Sequence, residues 1–269
     1  MFTKQSFYVS VLSLVVALCG AVSPVQAATY SLATDFSLSN NGTGGNPWSY
    51  CLDKVVGEPV QPFTLGNNTR NANTMWGTSF ATPPTMWSDL TGDTSGVAGI
   101  GKNLTGVTLT DAGTGISWAP GEILLRPVYY GTPYTRFVIG WTAPSAGTID
   151  GNWTFSKAAT AGAGDGVGYM LIRGGATTPI QGFGSQTPPN TTNGPMSSSF
   201  TGLSVAAGDK LWWRMDAWGS AGTNDITKAA ITITMAGEPA TDIPEPATMV
   251  LLGTGLLGLV RHARRRIGA

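Results

Sequence analysis

Short runs of β-branched and aromatic residues fill residues 28–236, and Gly, Pro, Asn or Asp interrupts them every few positions. Runs punctuated in this way are typical of strands joined by turns. The same residues lack the i, i+3, i+4, i+7 spacing of apolar positions that marks an amphipathic helix. We therefore predict an all-β domain over residues 28–236, built as a jelly-roll-like β-sandwich of about ten strands.

The predicted strands follow these runs along the chain. They span residues 29–38, 47–52, 104–110, 122–130, 134–142, 147–156, 167–173, 199–206, 209–218 and 228–236. Between about residues 57 and 122 the pattern is poor, which predicts long loops with a few short strands. A further loop is predicted over residues 182–199.

The segment "SFTGLSVAAGDKLWWRMDAWG" indicates two strands that turn at Gly208-Asp209. Side chains alternate between the two faces of a strand, so the second strand has one apolar face and one mixed face. The apolar face is predicted to lie in the core and comprises Leu211, Trp213, Met215 and Ala217. The mixed face comprises Lys210, Trp212, Arg214, Asp216 and Trp218. The segment "VIGWTAPSAGTIDGNWTFS" places Trp141 and Trp153 in the core by the same reasoning.

The mixed face is the candidate binding site. Trp212 and Trp218 are predicted to be exposed beside Arg214 and Asp216. Exposed indole rings can stack on the apolar faces of sugars, and neighbouring polar groups can hydrogen-bond to sugar hydroxyls. These four residues are therefore the predicted glycan-binding residues. The alternative is a second aromatic layer that a loop covers.

Charge and histidine content argue against two classes of function. Residues 28–243 hold ten Lys and Arg against fourteen Asp and Glu, a net charge of about −4, and no basic cluster. Nucleic acid is not a predicted partner, because its binding depends on neutralising phosphates. The one histidine, His262, lies near the C-terminus, so the body has no His-based triad and no His metal ligand. Cys51 is the one cysteine of the body and is predicted to be a small buried apolar residue.

Acidic residues leave two further kinds of site open. A glycosidase carboxylate pair could come from Glu58, Glu122 and Glu238. Oxygen ligands for Ca²⁺ could come from Asp150, Asp165, Asn224 and Asp225, although their spacing does not require it. Solvated carboxylates, and a plain turn at the Gly-rich stretch around Asp165, are the default interpretations. We predict neither a cofactor nor a metal site.

The N-terminal residues have the layout of a secretory signal peptide. Lys4 lies in a short positive region, and the apolar stretch "VSVLSLVVALCGAV" follows it. Val25 and Ala27 fit the small-residue pattern at which signal peptidase cuts. We therefore predict a signal peptide over residues 1–27, cleavage between Ala27 and Ala28, and export of the rest.

Residues 244–269 have three parts in order, after a predicted linker at 237–243. Pro244, Glu245 and Pro246 come first, and an apolar stretch over 247–260 follows. The basic end carries Arg261, Arg264, Arg265 and Arg266. Fourteen helical residues span about 21 Å, less than the bilayer core of about 30 Å, but arginine side chains can reach the interface. We predict a short transmembrane helix over 247–260 with its arginines on the cytoplasmic side.

This arrangement resembles the PEP-CTERM sorting signal of Gram-negative bacteria. The sorting motif corresponds to Pro244, Glu245 and Pro246, the helix to residues 247–260, and the stop to residues 261–266. The resemblance implies that an exosortase, a membrane-embedded transpeptidase-like protease, recognises and cuts the motif. It also implies transient inner-membrane insertion, followed by a location at the cell surface or in the extracellular matrix, commonly in bacteria that make exopolysaccharide.

Two segments of the body, "WTAPSAGT" (141–148) and "AAGDKLWW" (206–213), resemble the body domain of many PEP-CTERM proteins. That domain is similar to a carbohydrate-binding-module-type sandwich, which implies the fold more than a ligand. The first hypothesis is an exported, non-catalytic structural or carbohydrate-binding protein, with exopolysaccharide as a candidate partner. The alternatives are a polysaccharide hydrolase that uses a carboxylate pair, and a matrix protein without a specific ligand.

Overall fold

Two antiparallel sheets face each other and enclose the apolar side chains that alternate along their strands. The computed structural model describes residues 27–53, 63–64, 69–72, 78–88, 98–127, 136–160, 167–174, 179–182, 194–217 and 225–236. These residues belong to one compact unit, Ala27–Ala236. Regular structure in these ranges is nearly all strand, which confirms the predicted all-β, jelly-roll-like sandwich class.

The strands in chain order are β1 (Ala28–Ser31), β2 (Trp48–Asp53), β3 (Phe63–Thr64), β4 (Thr69–Asn71), β5 (Thr85–Ser88), β6 (Gly99–Lys102), β7 (Leu109–Asp111), β8 (Ile116–Trp118), β9 (Ile123–Arg126), β10 (Arg136–Thr142), β11 (Gly147–Lys157), β12 (Val167–Arg173), β13 (Pro179–Gly182), β14 (Met196–Val205), β15 (Lys210–Ala217) and β16 (Thr227–Met235). A four-residue helix, α1 (Leu32–Asp35), follows β1.

Sheet A has the strand order β14-β11-β16-β9-β6-β5-β4, and β1 also pairs with β16. Sheet B has the order β13-β12-β15-β10-β2-β3, and β7 pairs with β8 in a separate hairpin. Each of these pairs is antiparallel. The strands on either side of each of the two predicted turns lie in different sheets, since β11 and β14 belong to sheet A whereas β10 and β15 belong to sheet B.

The first predicted strand, residues 29–38, is wrong beyond Ser31. The Ser31 hydroxyl accepts a hydrogen bond from the Thr34 N–H (3.4 Å), and the Asp35 carboxylate accepts one from the Ser31 N–H (2.9 Å). This reciprocal capping starts the helical turn of α1 where the strand pattern predicted extended chain.

The predicted strand over residues 104–110 is also wrong, except at its end, where β7 begins. The buried side chain of Asn103 donates hydrogen bonds to the carbonyl groups of Val107 (2.8 Å) and Trp118 (2.7 Å). Its own oxygen accepts from the Thr105 N–H (2.9 Å), so this backbone bends around the amide instead of pairing in a sheet. The few short strands expected between residues 57 and 122 are confirmed.

The core between the sheets is rich in aromatic rings from both of them. Trp153 of β11 lies 5.9 Å from Trp213 of β15, measured between ring centroids. Phe155 of β11 lies 5.2 Å from Tyr169 of β12. Trp141, Trp153 and Trp213 are each at most 2% exposed, which confirms their predicted place in the core.

A second, smaller core lies on the outer side of sheet A. The β7–β8 hairpin contributes Trp118, whose ring centroid lies 5.8 Å from that of Phe80. These rings belong to one buried cluster with Met86 of β5 and Leu124 of β9. The β7–β8 hairpin and Phe80 thus cover the part of the outer face that β5, β6 and β9 form.

The terminal predictions fall outside the ranges that the structure describes. They concern residues 1–26, the linker at 237–243 and residues 244–269. Among the described residues, no helix is both long enough and apolar enough to span a bilayer. The signal peptide and the helix over 247–260 stay predictions.

Candidate functional site

The predicted glycan-binding residues lie on β15, a central strand of sheet B. β15 pairs with β10 on one side and with β12 on the other. Leu211, Trp213 and Met215 face sheet A and belong to the shared core, as predicted. Trp212 and Arg214 alternate with them and therefore face away from sheet A.

Both outward-facing side chains are buried, since Trp212 and Arg214 are each 4% exposed. Trp212 packs with Cys51, Val138 and Ile172 in an apolar cluster on the outer face of sheet B. The prediction that the Trp212 ring is exposed is therefore wrong, and Arg214, predicted to lie beside it in a binding site, is buried as well. The physical reason is that β2, β10 and β12 also turn apolar side chains outward, which makes this face a second apolar layer.

The remaining predicted members of this site stay untested. Trp218 lies outside the described residues, and Asp216 is described in its backbone alone, as part of β15. The Lys210 Nζ lies 5.4 Å from the centroid of the Trp212 ring, in the geometry of a cation–π contact. Trp212 therefore packs against its neighbours instead of offering a free ring face.

Burial also determines the chemistry of the titratable groups on this face. Burial lowers the pKa of the Arg214 guanidinium below its ordinary value. Burial raises the pKa of the Cys51 thiol to about 12, although the Ser49 hydrogen bond and the Lys210 charge act in the opposite direction. Cys51 is 3% exposed, so it is the small buried residue that the sequence predicted and is a neutral thiol rather than a nucleophile.

The two body segments that carry the family resemblance meet at one end of sheet B. The Ala143 N–H donates to the Asp209 carbonyl (2.8 Å), and the Gly208 N–H donates to the Ala143 carbonyl (2.8 Å). The Asp209 carboxylate accepts hydrogen bonds from the Ala206 N–H (2.8 Å) and from the Arg173 guanidinium (2.6 Å). The hydrogen bond from the Ala206 N–H has the larger effect and the Arg173 guanidinium the next largest, and together they hold the pKa of Asp209 below its usual value. These motif residues fix a turn, which explains them without a ligand.

Glu122 is the candidate hydrolase carboxylate that the structure describes. Its two oxygens lie 3.0 and 2.9 Å from the Lys228 Nζ, and one of them accepts a hydrogen bond from the Ala119 N–H (2.7 Å). These contacts tie the turn before β9 to β16. Glu58 and Glu238 lie outside the described residues, so a carboxylate pair among these three residues stays an untested prediction.

Of the four candidate Ca²⁺ ligands, the structure describes Asp150 and Asp225. The Asp150 carboxylate accepts a hydrogen bond from the Gly202 N–H (2.8 Å), and Asp225 is fully buried. Asp165 and Asn224 fall in ranges that the structure does not describe. Among the residues it does describe, no three His, Cys, Asp or Glu side chains are placed to hold a metal ion.

The outer face of sheet A carries an exposed polar surface that the sequence interpretation did not single out. We call it the hydroxyl face. It comprises Thr29, Ser31, Asp150, Asn152, Thr154, Ser197, Ser199, Thr232 and Thr234. The signal in the sequence was Ser, Thr or Asn at alternate positions of β11, β14 and β16, but only the strand order brings these positions together.

The register of the strands arranges the hydroxyl face in rows. One row crosses β14, β11, β16 and β1 through Ser199, Asn152, Thr232 and Ser31. In the adjacent row the hydroxyl oxygens of Thr154 and Ser197 lie 2.8 Å apart. Since neighbouring strands lie about 4.8 Å apart, the Ser199 row repeats a hydrogen-bonding group at that spacing across four strands, whereas the Thr154 row meets Ala230 on β16.

The fold and its surfaces thus define a β-sandwich with a buried aromatic core and a polar outer face. Residues 242–266 match the family model of the PEP-CTERM protein-sorting motif. The resemblance inferred from Pro244, Glu245 and Pro246 is therefore confirmed over these residues, and the chain carries this sorting motif. A comparison with curated proteins finds no match.

Two solved structures are similar to parts of this chain. A native family 35 carbohydrate-binding module from Clostridium thermocellum is 15% identical, with a TM-score of 0.23 over 39% of this chain and 79% of that chain. An isomalto-dextranase of Arthrobacter globiformis T6, complexed with panose, is 10% identical, with a TM-score of 0.26 over 79% of this chain. This chain spans 33% of the dextranase chain. TM-scores this low do not define a common fold, and the sandwich is given by the two sheets and their shared core.

Proposed function

We propose that this protein is exported, processed by an exosortase at its C-terminal motif, and displayed at the cell surface or in the extracellular matrix. The single observation that carries the proposal is the PEP-CTERM match over residues 242–266. Signal peptidase acts first, between Ala27 and Ala28. The helix over 247–260 then holds the chain in the inner membrane until the exosortase acts at Pro244, Glu245 and Pro246.

The sandwich serves as a non-catalytic structural or carbohydrate-binding module in this proposal. The hydrogen bonds of Glu122 and Asp150 support a structural role for both carboxylates. The neutral, buried thiol of Cys51 supports the same interpretation, because it is not a nucleophile. The polar outer face of sheet A supports contact with a hydroxylated matrix.

The sorting step is tested by intact-mass analysis of surface material from strains with and without the exosortase. The wild-type surface form is expected to begin at Ala28 and to lack Arg261, Arg264, Arg265 and Arg266. The strain without exosortase is expected to retain all four arginines. A wild-type surface form that still contains Arg266 would overturn the proposal.

A pair of variants makes the sorting test specific to the motif. Replacing Pro244, Glu245 and Pro246 together by Ala is expected to leave the tail attached. The matched control is Pro239→Ala, a proline that lies just before the residues matched by the family model. If both variants are processed like the wild type, the motif is not the processing signal.

A further inference from the structure

The outer face of sheet A has two halves of opposite chemistry. On the β5–β9 side, Met86 and Leu124 are buried beneath Trp118 and Phe80. On the β14–β11–β16–β1 side, Thr29, Asp150, Asn152, Ser197 and Ser199 of the hydroxyl face are exposed, and its other four side chains are half-buried. Within the described ranges, the chain thus covers the apolar half of this face and leaves the polar half uncovered.

Charge on the hydroxyl face limits the ligands that it can bind. Eight of its nine side chains are uncharged. The ninth is Asp150, whose carboxylate accepts a hydrogen bond from the Gly202 N–H. The nearest lysine on β16, Lys228, is paired with Glu122 at 2.9 Å. An anionic polymer would meet no free cation among these residues and would be repelled by the net charge of about −4 on residues 28–243. A neutral ligand fits this charge distribution.

The spacing of polar groups along a row of the hydroxyl face can be compared with the length of a sugar unit. Hydroxyl and amide groups recur at about 4.8 Å across the strands, which is comparable with the length of one sugar unit in an extended polysaccharide. A chain that lies across β14, β11, β16 and β1 meets a hydrogen-bonding side chain on each strand. The nine side chains include no aromatic ring, so each sugar unit contributes little binding free energy. Binding therefore requires several sugar units at once.

We propose that the hydroxyl face is a docking surface for an extended, neutral polysaccharide chain that lies across the strands and hydrogen-bonds to successive ones. This inference rests on the proposed function, since a surface or matrix location brings the sandwich into contact with polysaccharide. It assigns binding to the outer face of sheet A rather than to Trp212 and Arg214, which are buried on sheet B.

Affinity electrophoresis of the full chain, solubilised in mild detergent, tests the proposal. The gels contain one of four neutral polymers (hydroxyethyl cellulose, amylose, laminarin or dextran) or the anionic polymer alginate. We expect retardation by at least one neutral polymer, none by alginate, and no competition by a trisaccharide of the retarding polymer. Retardation by alginate alone, or by none of the five, would overturn the inference.

Variants locate the docking surface. Asn152→Ala with Thr232→Ala removes the middle of one row and is expected to weaken binding more than tenfold. The matched control, Thr110→Ala with Ser117→Ala, removes an exposed, directly paired couple from the β7–β8 hairpin and is expected to bind like the wild type. A conservative pair, Asn152→Gln with Thr232→Ser, keeps the polar groups and is expected to retain binding.

The outcomes separate this inference from the proposed function. Wild-type binding that is unchanged in Asn152→Ala with Thr232→Ala would overturn the docking surface and leave carbohydrate binding in place. A dimer in sedimentation analysis that this variant abolishes would show a second copy on the face, which also overturns the inference. The sorting result, read from the mass of the surface form, depends on neither outcome.

Discussion

Gly140 is the residue that lets sheet B accommodate Trp212. It lies on β10 directly opposite Trp212, and the indole packs against its backbone. A Cβ at this position would lie 2.6 Å from the Trp212 Cε3 and would also meet the Ser49 side chain. We therefore expect Gly140→Ala to lower the free energy of unfolding by about 1–3 kcal/mol, measured by urea unfolding.

A matched glycine and a double variant control this prediction. Gly113→Ala places its Cβ 3.7 Å from the nearest Asp111 oxygen, an ordinary contact, and is expected to change stability by less than about 0.5 kcal/mol. In a Trp212→Ala background, Gly140→Ala is expected to cost much less than in the wild type. An equal cost in both backgrounds would show that the indole is not the obstacle.

The two tryptophans of β15 show how far the burial of a single residue could be predicted from the sequence. Alternation along β15 was enough to place Trp213 in the core, because that face of the strand is apolar throughout. It was not enough for Trp212. Whether an outward-facing ring is exposed depends on the outward residues of the flanking strands, here Val138 and Ile172, and the sequence does not reveal which strands flank β15.

One buried carboxylate, that of Asp111, helps to hold the β7–β8 hairpin against a neighbouring segment. The buried Asp111 side chain accepts hydrogen bonds from the Ser79 N–H (3.0 Å), the Thr114 N–H (2.9 Å) and the Thr114 hydroxyl. Burial by itself would raise the pKa of Asp111. The hydrogen bonds from Thr114, Ser79 and Gly113 outweigh burial and hold the pKa below its usual value.

The sign of the pH dependence follows from this lowered pKa. A carboxyl whose folded pKa lies below its unfolded value of about 3.9 stabilises the fold above that pH, and the contribution disappears as the pH falls through the folded pKa. We expect Asp111→Asn to cost about 1–3 kcal/mol at neutral pH and to lose less stability than the wild type on acidification below about pH 4. Urea unfolding measured across this pH range gives both quantities.

A graded variant serves as the control for Asp111. Thr114→Val removes the hydroxyl donor and leaves the Ser79 and Thr114 N–H bonds, so it is expected to have an acid dependence between those of the wild type and Asp111→Asn. If the wild type and Asp111→Asn have the same acid dependence, Asp111 is not the group that stabilises the hairpin.

Element boundaries were predictable where strands are long and alternate strictly. β11 and β16 lie within a residue of their predicted bounds because each alternates buried and outward-facing residues over nine or more positions, and β12 is instead a mainly apolar run that ends at Arg173. β7 and β8 have three residues each, which is too short for a period to show. The loop before β7 is shaped by the Asn103 amide, whose partners are not visible in the sequence.

Trp213 connects the two layers of the whole molecule. Its ring centroid lies 5.9 Å from that of Trp153 in sheet A and 6.3 Å from that of Trp48 on β2 of sheet B. We expect Trp213→Ala to lower the free energy of unfolding by about 3–5 kcal/mol, because it leaves a cavity between the sheets. Thermal unfolding followed by circular dichroism, with urea unfolding, measures the loss.

Trp213→Phe is the control for this prediction, since it keeps an aromatic ring between the sheets. It is expected to cost less than half of what Trp213→Ala costs. An unfolding midpoint unchanged in Trp213→Ala would mean that the two sheets do not depend on this contact.

At the scale of the whole molecule, the sequence predicted the class of fold and the sorting motif but not the strand order. Alternation and turn residues are local patterns that the sequence shows directly, and together they indicate a sandwich. The pairing of β16 with β11, β9 and β1 joins residues far apart in the chain. The hydroxyl face depends on that pairing, and for this reason no local pattern could have predicted it.

β16 is the last strand of the body in chain order, yet it has three strand neighbours within sheet A. β1, β9 and β11 cannot complete their backbone hydrogen bonds until residues 227–235 arrive. If the polypeptide is threaded through a translocation channel from its N-terminal end, sheet A closes only at the final stage of passage. Completion of sheet A therefore depends on the slow, non-local contacts of a single late strand.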